Sequence, residues 1–356
     1  MIALEKWAEQ AGAWTPRKGV HRVLAVDAHT AGEPLRVLLT GVPLLEGATL
    51  AERRLDAEGR LEALRRGLMW EPRGHTDMYG CVVTPAVSAE ADFGVVFMHN
   101  AGFSTMCGHG VIAVATVTAE LGLLEDGAAS SSSSSERRLG MDTPAGFVSA
   151  RVVMKDGHAD AVSFRNVPSF AVVLGGTVEV PGLGRIAYDL AFGGAFYAYV
   201  RAEEAGVTLD PSHYRRIIEL GRTIKDSVAA RGEAKHPGRP DLSFLYGTIF
   251  VGPPRSGADF RHVCVFADGE VDRSPTGTGV SGWLALRHAR EEAAVGAQIQ
   301  VESILGTRFG GRIMETSRVG DLDAVVPEIT GSAFITGRHE FFFDPRDPLR
   351  EGFILR

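Results

Sequence analysis

The chain has little cysteine, and its three residues, Cys81, Cys107 and Cys264, are too few and odd in number for a disulfide scaffold. This scarcity is typical of proteins in a reducing compartment, so we expect a cytoplasmic location. No stretch of about 18 uncharged apolar residues occurs, and the opening residues lack the apolar core of a signal peptide. The sequence therefore predicts neither export nor membrane insertion.

Surplus positive charge is also missing, since 37 lysines and arginines stand against 44 acidic residues and give a net charge of −7. Without that surplus a phosphate backbone has little to attract it, which argues against a nucleic-acid partner. None of the histidines pairs as HxxxH and no CxxC occurs, so we expect no metal. The glycine pairs at 175–176 and 193–194 lack the setting of a dinucleotide fold and are predicted turns, so no cofactor is expected.

What the chain does contain is enough apolar sequence for two cores, with 356 residues of which 45% are hydrophobic. Residues 1–20 are expected to be a poorly packed leader, with structure beginning near His21. A strand hairpin, a surface helix at 50–67 and a buried helix after Cys107 follow. Residues 130–135 are a polar serine tract and a predicted flexible loop. After this tract the pattern of strands, an amphipathic helix, a glycine-rich turn and an apolar helix starts again.

The repeat is clearest in two turns that each precede an apolar helix. TMCGHGV at 105–111 and SPTGTGV at 274–280 both place a small side chain, Cys107 or Thr276, before Gly-X-Gly-Val. Glycines that open a helix leave backbone N–H groups free, and the helix dipole adds about half a positive charge there. Each turn is therefore a predicted anion site.

Two such turns facing one cleft suit the carboxylate of a small amino or imino acid. Cys107 stands at the helix N-terminus, a position that commonly lowers a thiol pKa, so we expect a thiolate that acts as a base. A buried cysteine is more often an inert core residue, but the duplication of the turn favours function here. Cys81 and Cys264 lie in apolar runs that resemble strands, and both are interpreted as core residues.

The sequence resembles the proline racemase family, which contains proline racemase, 4-hydroxyproline 2-epimerase and trans-3-hydroxy-L-proline dehydratase. The resemblance covers nearly the whole chain from His21, and five segments carry it: DAHTAGEPLRV at 27–37, EPRGHTDMYG at 71–80, HNAGFSTMCGHGV at 99–111, DTPAGFV at 142–148 and DRSPTGTG at 272–279.

The resemblance implies a mixed α/β, or α+β, fold of the diaminopimelate epimerase and proline racemase type. Two similar domains, each a curved sheet or barrel around a central helix, would enclose the active site between them. We expect an N-terminal domain of residues 21–160 plus 331–356, which carries the Cys107 turn, and a C-terminal domain of residues 161–330, which carries the Thr276 turn. The family often forms homodimers, so a homodimer is possible.

Family members that invert a stereocentre carry cysteine in both turns, because inversion needs a base on one face and an acid on the other. A threonine hydroxyl at the second position is too weak for that role, and the Cys and Thr combination is associated with the dehydratase branch. The resemblance implies that the substrate carboxylate binds the backbone of Gly108, His109, Gly277 and Thr278. Asp272 and His109 would receive the ring ammonium.

In trans-3-hydroxy-L-proline the hydroxyl and the Cα hydrogen share one face of the ring, so one base could suffice. We expect the Cys107 thiolate to take the Cα proton, and Cys107 or His109 to protonate the departing hydroxyl. The alternatives are a 4-hydroxyproline 2-epimerase, a proline racemase, or a protein that binds an imino acid without catalysis. Other polar residues are interpreted as ordering a turn or supporting the site: His29, Glu33, His75, Asp77 and Asn100.

Overall fold

The structure, a computed structural model, describes residues 4–123 and 134–355 of the chain. The α-helices in these stretches are α1 (Leu4–Ala13), α2 (Leu50–Arg60), α3 (Glu62–Met69), α4 (Gly108–Glu120), α5 (Tyr214–Ala229) and α6 (Gly277–Ala289). The earlier strands are β1 (His21–Thr30), β2 (Glu33–Thr40), β3 (Tyr79–Thr84), β4 (Phe93–His99), β5 (Phe103–Ser104), β6 (Ser134–Thr143), β7 (Gly146–Lys155) and β8 (His158–Arg165). The later strands are β9 (Ser169–Val180), β10 (Gly184–Phe192), β11 (Phe196–Arg201), β12 (Leu245–Gly252), β13 (Phe260–Phe266), β14 (Glu270–Asp272), β15 (Gln298–Glu302), β16 (Arg308–Val319), β17 (Leu322–Gly331) and β18 (Ala333–Phe343).

The first half of the chain curves a sheet around α4. Its strands pair in the order β18-β1-β2-β3-β4-β6-β7-β8, antiparallel except where β2 meets β3 and β4 meets β6. Every residue of α4 from Gly108 to Ala119 is buried, because apolar side chains extend around the whole helix. Each fully buried Val or Ile contributes about 1.5–3 kcal/mol, so burial holds this helix at the centre of the sheet.

The second half closes a barrel around α6. Strands pair in the ring β9-β10-β11-β12-β13-β15-β16-β17, and β17 pairs with β9 to complete it. The parallel pairs are β11 with β12 and β13 with β15, which occupy the same places in the order as the parallel pairs of the first half. Two similar sheets, each around a central helix, confirm the fold expected from the repeat and the resemblance.

The boundary between the two expected domains falls within one strand. Positions 160 and 161 both lie in β8, and β8 pairs with β17 from Arg165 opposite Glu328 to Val162 opposite Gly331. The boundary expected at 331 lies between β17 and β18. A strand ladder therefore joins the two halves, and their division at these residue numbers stays a prediction.

The surface helix expected at 50–67 is two helices that meet at Leu61. α2 begins with a capping box in which the Thr49 hydroxyl accepts from the Glu52 backbone and the Glu52 carboxylate accepts from Thr49. α3 ends with Leu68 and Met69, both fully buried. The leucine spacing predicted helix correctly, but the second half of α3 is buried in the core and does not lie on the surface.

The leader expected at residues 1–20 contains α1, in which no residue is buried. Trp14 packs edge to face on Phe342 at 5.2 Å, so ordered structure begins earlier than His21, although α1 itself adds nothing to the core. The predicted serine loop lies outside the described residues, apart from the two last serines, which begin β6.

One glycine pair is a turn and the other is not. The pair at 193–194 lies in the turn between β10 and β11, as expected. The pair at 175–176 lies inside β9, where the pairing with β10 shifts register and Gly175 has a φ of 67°. A bulge needs this backbone conformation as much as a turn does, so the glycines alone do not distinguish the two.

Candidate active site

Cys107 is the N-cap of α4. Its backbone is extended, with a φ of −145°, and its Sγ accepts a hydrogen bond from the Gly110 N–H at 3.2 Å. The thiol thus occupies the place where a serine or aspartate oxygen usually satisfies the first turn of a helix. Its side chain is held at the positive end of the helix dipole, inside the fold, with 4% of its surface exposed.

Thr276 is the corresponding residue before α6, but its conformation differs. Its φ is 65° and its ψ is 92°, a region that a β-branched residue rarely adopts. The hydroxyl is buried and faces Asp272 and the thiol of Cys264, without a hydrogen bond of good geometry to either. Strained residues of this kind concentrate at functional sites, where the surrounding structure holds them in place.

The N-terminal ends of α4 and α6 are in close contact through Gly108 and Gly277. A Cβ added to Gly108 would lie 2.6 Å from the Cα of Gly277, so only glycine permits this approach. All seven residues predicted for the site line one cavity between the halves: Cys107, Gly108, His109, Asp272, Thr276, Gly277 and Thr278. The cavity has about 20 Å³, room for roughly one water molecule and too little for an imino acid.

Gly108→Ala is expected to lower turnover by about 100-fold, because the added methyl pushes the two helix starts apart and misplaces the groups between them. Steady-state kinetics on the purified variant measures this loss. Gly102→Ala is the matched control, since its Cβ would meet nothing within 4 Å. Equal activity of the two variants would show that the close approach of the helices is unnecessary.

The expectation of a lowered pKa for Cys107 is wrong for this closed state. Burial raises the pKa of the thiol well above its ordinary value, and the carboxylates of Asp272 and Glu33 raise it further. The Gly110 N–H and a hydrogen bond from Tyr79 oppose this rise without overcoming it. The thiol therefore stays protonated until something in the cavity compensates for the lost water.

His109 contacts the thiol as a neutral ring. Its Nδ1 lies 3.2 Å and its Nε2 3.4 Å from the Cys107 Sγ. Burial lowers the pKa of His109 to about 3, and the nearby Arg273 guanidinium lowers it as well. Both nitrogens of the neutral ring therefore lie within hydrogen-bond reach of the thiol.

Asp272 is the acidic group of the cavity. Its carboxylate accepts from the Ser274 N–H at 2.7 Å, but burial raises its pKa to about 6. The carboxyl is thus largely ionised at neutral pH and can receive a cation, as expected for a ring ammonium.

Replacing Asp272 by asparagine is expected to stabilise the fold more at pH 7 than at pH 4. A raised pKa means that the folded state holds the proton more tightly, so this contribution to stability is present below about pH 4 and lost as the pH rises through 6. The difference between the two pH values should approach about 3 kcal/mol. Urea unfolding at both pH values measures it. The exposed Asp323→Asn is the control, and an equal effect of Asp272→Asn at both pH values would contradict the prediction.

The cavity is also lined by six residues that were not predicted for the site from the sequence: Tyr79, Met106, Tyr197, Tyr246, Cys264 and Phe266. Most belong to strands, where an aromatic residue looks like ordinary core. Cys264 was interpreted as core, and although it is fully buried, its thiol faces the cavity. The Tyr197 hydroxyl lies 2.9 Å from the Thr278 Oγ1 and so fixes one side of the second turn.

A buried polar network joins the halves beside the cavity. The Arg273 backbone donates to the Glu33 carboxylate at 2.7 Å, and the Arg273 guanidinium pairs with Glu33 at 3.1 Å and with Asp77 at 3.6 Å. Tyr214 donates to Asp77. Glu33 therefore does more than order its own turn, because it holds the segment next to Asp272 in place.

The remaining polar candidates support the backbone. The His29 Nδ1 accepts from the Gly32 N–H at 3.3 Å, which orders the turn as expected. Asn100 donates to the Met69 and His75 carbonyls at 2.8 and 3.1 Å, while the His75 side chain is exposed. None of the three lines the cavity.

Residues 4–123 and 134–355 contain no group of three or more His, Cys, Asp or Glu side chains that could hold a metal ion. Among the helices of these same stretches, none is long and apolar enough to cross a membrane. The expected cytoplasmic location and homodimer stay predictions.

Fold and site together define a class of protein: a duplicated helix-in-barrel architecture in which two helix N-termini and a thiol enclose one small cavity. The profile of the family described as proline racemase matches residues 25–354. A trans-3-hydroxy-L-proline dehydratase from Colwellia psychrerythraea is 42% identical over 96% of both chains. A 4-hydroxyproline 2-epimerase from Streptosporangium roseum is 43% identical over 93% of this chain and 98% of its own.

A solved structure agrees in fold. The hydroxyproline epimerase from Agrobacterium vitis, with bound trans-4-hydroxy-L-proline, superposes with a TM-score of 0.87 and 32% identity over 96% of this chain and 97% of its own. The chain belongs to the proline racemase family.

Proposed function

We propose that the protein is a hydro-lyase that dehydrates trans-3-hydroxy-L-proline to pyrroline-2-carboxylate, with Cys107 as the base that removes the Cα proton. The observation that carries the proposal is the asymmetry of the cavity, in which the second turn presents Thr276 instead of a second catalytic thiol. A hydroxyl is too weak an acid to supply a proton on the opposite face, whereas elimination from one face needs no such donor.

The helix starts are suited to hold the substrate carboxylate. Backbone N–H groups of Gly108, His109, Gly277 and Thr278 lie at the N-terminal ends of α4 and α6, where unpaired donors and both dipoles favour an anion. A carbanion next to a carboxylate is costly unless oriented donors already neutralise that carboxylate. The same contacts that bind the substrate therefore lower the barrier to proton removal.

Substrate binding also brings into the cavity a positive charge that can stabilise the thiolate of Cys107. The ring ammonium, paired with Asp272, brings a positive charge close to Cys107 and favours its ionised form. The thiolate then takes the Cα proton, the electron pair forms the double bond to C3, and the C3 hydroxyl departs from the same face. The enamine product tautomerises to pyrroline-2-carboxylate without further catalysis.

Incubation with three substrates tests the proposal: L-proline, trans-4-hydroxy-L-proline and trans-3-hydroxy-L-proline. We expect only the last to give a pyrroline that reacts with o-aminobenzaldehyde. The dehydratase from Colwellia psychrerythraea, 42% identical to this chain, provides a positive control. Absence of pyrroline from all three substrates would overturn the assignment.

A second candidate is 4-hydroxyproline 2-epimerase, because a relative of that name is 43% identical and an epimerase shares the fold. It predicts inversion at Cα of trans-4-hydroxy-L-proline, which chiral chromatography measures. A protein that only binds an imino acid would instead show a rise in thermal unfolding midpoint with substrate and no product.

A further inference from the structure

Tyr79, the first residue of β3, brings a phenol into the cavity that the proposed reaction has not used. It is 3% exposed, and its ring meets the His109 ring edge to face at 4.8 Å. Its hydroxyl lies 2.6 Å from the Ser104 Oγ and 3.3 Å from the Tyr246 hydroxyl, and it lines the same cavity as the Cys107 thiol. A buried acid thus stands directly beside the base.

We propose that Tyr79 is the catalytic acid that protonates the departing C3 hydroxyl of the substrate. This inference rests on the proposed dehydratase function and names the proton donor that the reaction requires.

The position of the phenol agrees with the stereochemistry. The Cα hydrogen and the C3 hydroxyl lie on the same face of trans-3-hydroxy-L-proline, so the base and the acid must approach from the same side. Tyr79 and Cys107 line the same cavity and both contact the His109 ring, so they meet this requirement. Thr276 belongs to the second turn, which is the opposing wall.

The other candidate acid, His109, is unsuited to the role in this state. Burial lowers the pKa of His109 to about 3, so the ring is neutral at neutral pH and has no imidazolium proton to give. A neutral imidazole is also a much weaker acid than imidazolium, and burial disfavours imidazolium here. His109 therefore contacts the thiol and also packs edge to face on the ring of Tyr79.

The proton balance closes within the pair. The Cys107 thiolate takes the Cα proton, the Cα–H electrons form the Cα–C3 double bond, and the C3–O bond breaks. The leaving oxygen takes the phenol proton and departs as water. The tyrosinate then recovers a proton from the Cys107 thiol in the same cavity, which restores both groups for the next cycle.

The surroundings support a short-lived tyrosinate. Burial raises the pKa of Tyr79 well above its ordinary value, but the hydrogen bond from Ser104 lowers it. A phenol, with an ordinary pKa of about 10, is a stronger acid than water, whose pKa is about 15.7, and can therefore protonate a departing hydroxide. Ser104 is 1% exposed, and its Oγ lies 2.6 Å from the Tyr79 hydroxyl, so it can donate to a tyrosinate at this position.

Tyr79→Phe tests the proposal when the elimination of water is compared with the elimination of fluoride, a leaving group that needs no proton. General-acid catalysis typically contributes 10²–10⁴-fold, so we expect dehydration of trans-3-hydroxy-L-proline to fall by at least about 100-fold. Fluoride departs without a proton, so elimination from trans-3-fluoro-L-proline, followed with a fluoride electrode, should fall by less than about 10-fold. Exchange of the Cα hydrogen of L-proline in D₂O, which needs only Cys107, should persist.

Tyr197→Phe is the matched control, because Tyr197 also lines the cavity but its hydroxyl contacts Thr278 in the second turn. It should reduce elimination of water and of fluoride by the same factor. Equal losses on both substrates in Tyr79→Phe would overturn the role of Tyr79, as would loss of Cα exchange with an unchanged unfolding midpoint. If the wild-type protein releases neither water nor fluoride, the proposed function itself is wrong and the role of Tyr79 falls with it.

Discussion

Cys107→Ser is expected to reduce turnover of trans-3-hydroxy-L-proline by at least about 1000-fold, because a serine hydroxyl is a far weaker base than a thiolate without an activating partner. The nearest basic group, His109, has a pKa of about 3 and cannot take the hydroxyl proton. Steady-state formation of pyrroline measures the loss. Cα exchange of L-proline in D₂O should disappear together with dehydration.

The fold should survive this substitution. The Cys107 Sγ caps α4 by accepting from the Gly110 N–H, and serine is among the best residues at an N-cap. We therefore expect the unfolding midpoint to stay near that of the parent protein. Cys81→Ala is the matched control for loss of a buried thiol, since Cys81 is fully buried and does not line the cavity. A Cys107→Ser variant that keeps most of its activity would refute the role of Cys107.

The parts of the site that could be predicted from the sequence are those that the chain repeats. Two turns of the form Gly-X-Gly-Val, 169 positions apart, predicted two helix starts at one cavity. The structure brings both turns together, with Gly108 against Gly277. Such a signal is local: glycine, a small side chain and an apolar helix lie next to each other in sequence, so their geometry follows from short-range rules.

The parts that could not be predicted are contributed by distant strands. Tyr79, Tyr197 and Tyr246 come from β3, β11 and β12, and each sits in a largely apolar strand that has the composition of ordinary core. Only the register of the strands decides which of these hydroxyls reaches the cavity. The pairing of Glu33 with Arg273 is of the same kind, since it joins residues 240 positions apart.

The pKa of Cys107 is set by two opposing effects, the helix dipole and burial, and the sequence-based prediction took only the first into account. A helix N-terminus favours a thiolate by typically 0.3–1 kcal/mol, and up to about 2 kcal/mol where partly buried. Full burial can shift a pKa by 3–5 units, roughly 4–7 kcal/mol, in the opposite direction. The sequence predicted a buried helix with Cys107 at its start, but the argument for a thiolate counted the dipole and not the burial, and burial dominates here.

Thr276→Cys is expected to give the protein epimerase activity towards trans-4-hydroxy-L-proline of at least about 100 times its starting level, because a thiol on the second face supplies the missing acid. The backbone favours this change, since cysteine is not β-branched and tolerates the φ of 65° better than threonine does. Chiral chromatography of the product measures the gain. A reducing agent is needed in the assay because the Cys264 thiol lines the same cavity.

Thr276→Ser separates the two effects of that substitution. Serine also removes the β-branch, yet it keeps a hydroxyl that is too weak an acid to protonate Cα. We therefore expect Thr276→Ser to relieve the strained backbone, seen as a higher unfolding midpoint, without any gain in epimerisation. If both variants gain epimerase activity equally, the second face is limited by the shape of the turn and not by its acidity. If neither gains activity, position 276 does not face Cα, and Thr276 in the second turn no longer supports the proposed dehydratase function.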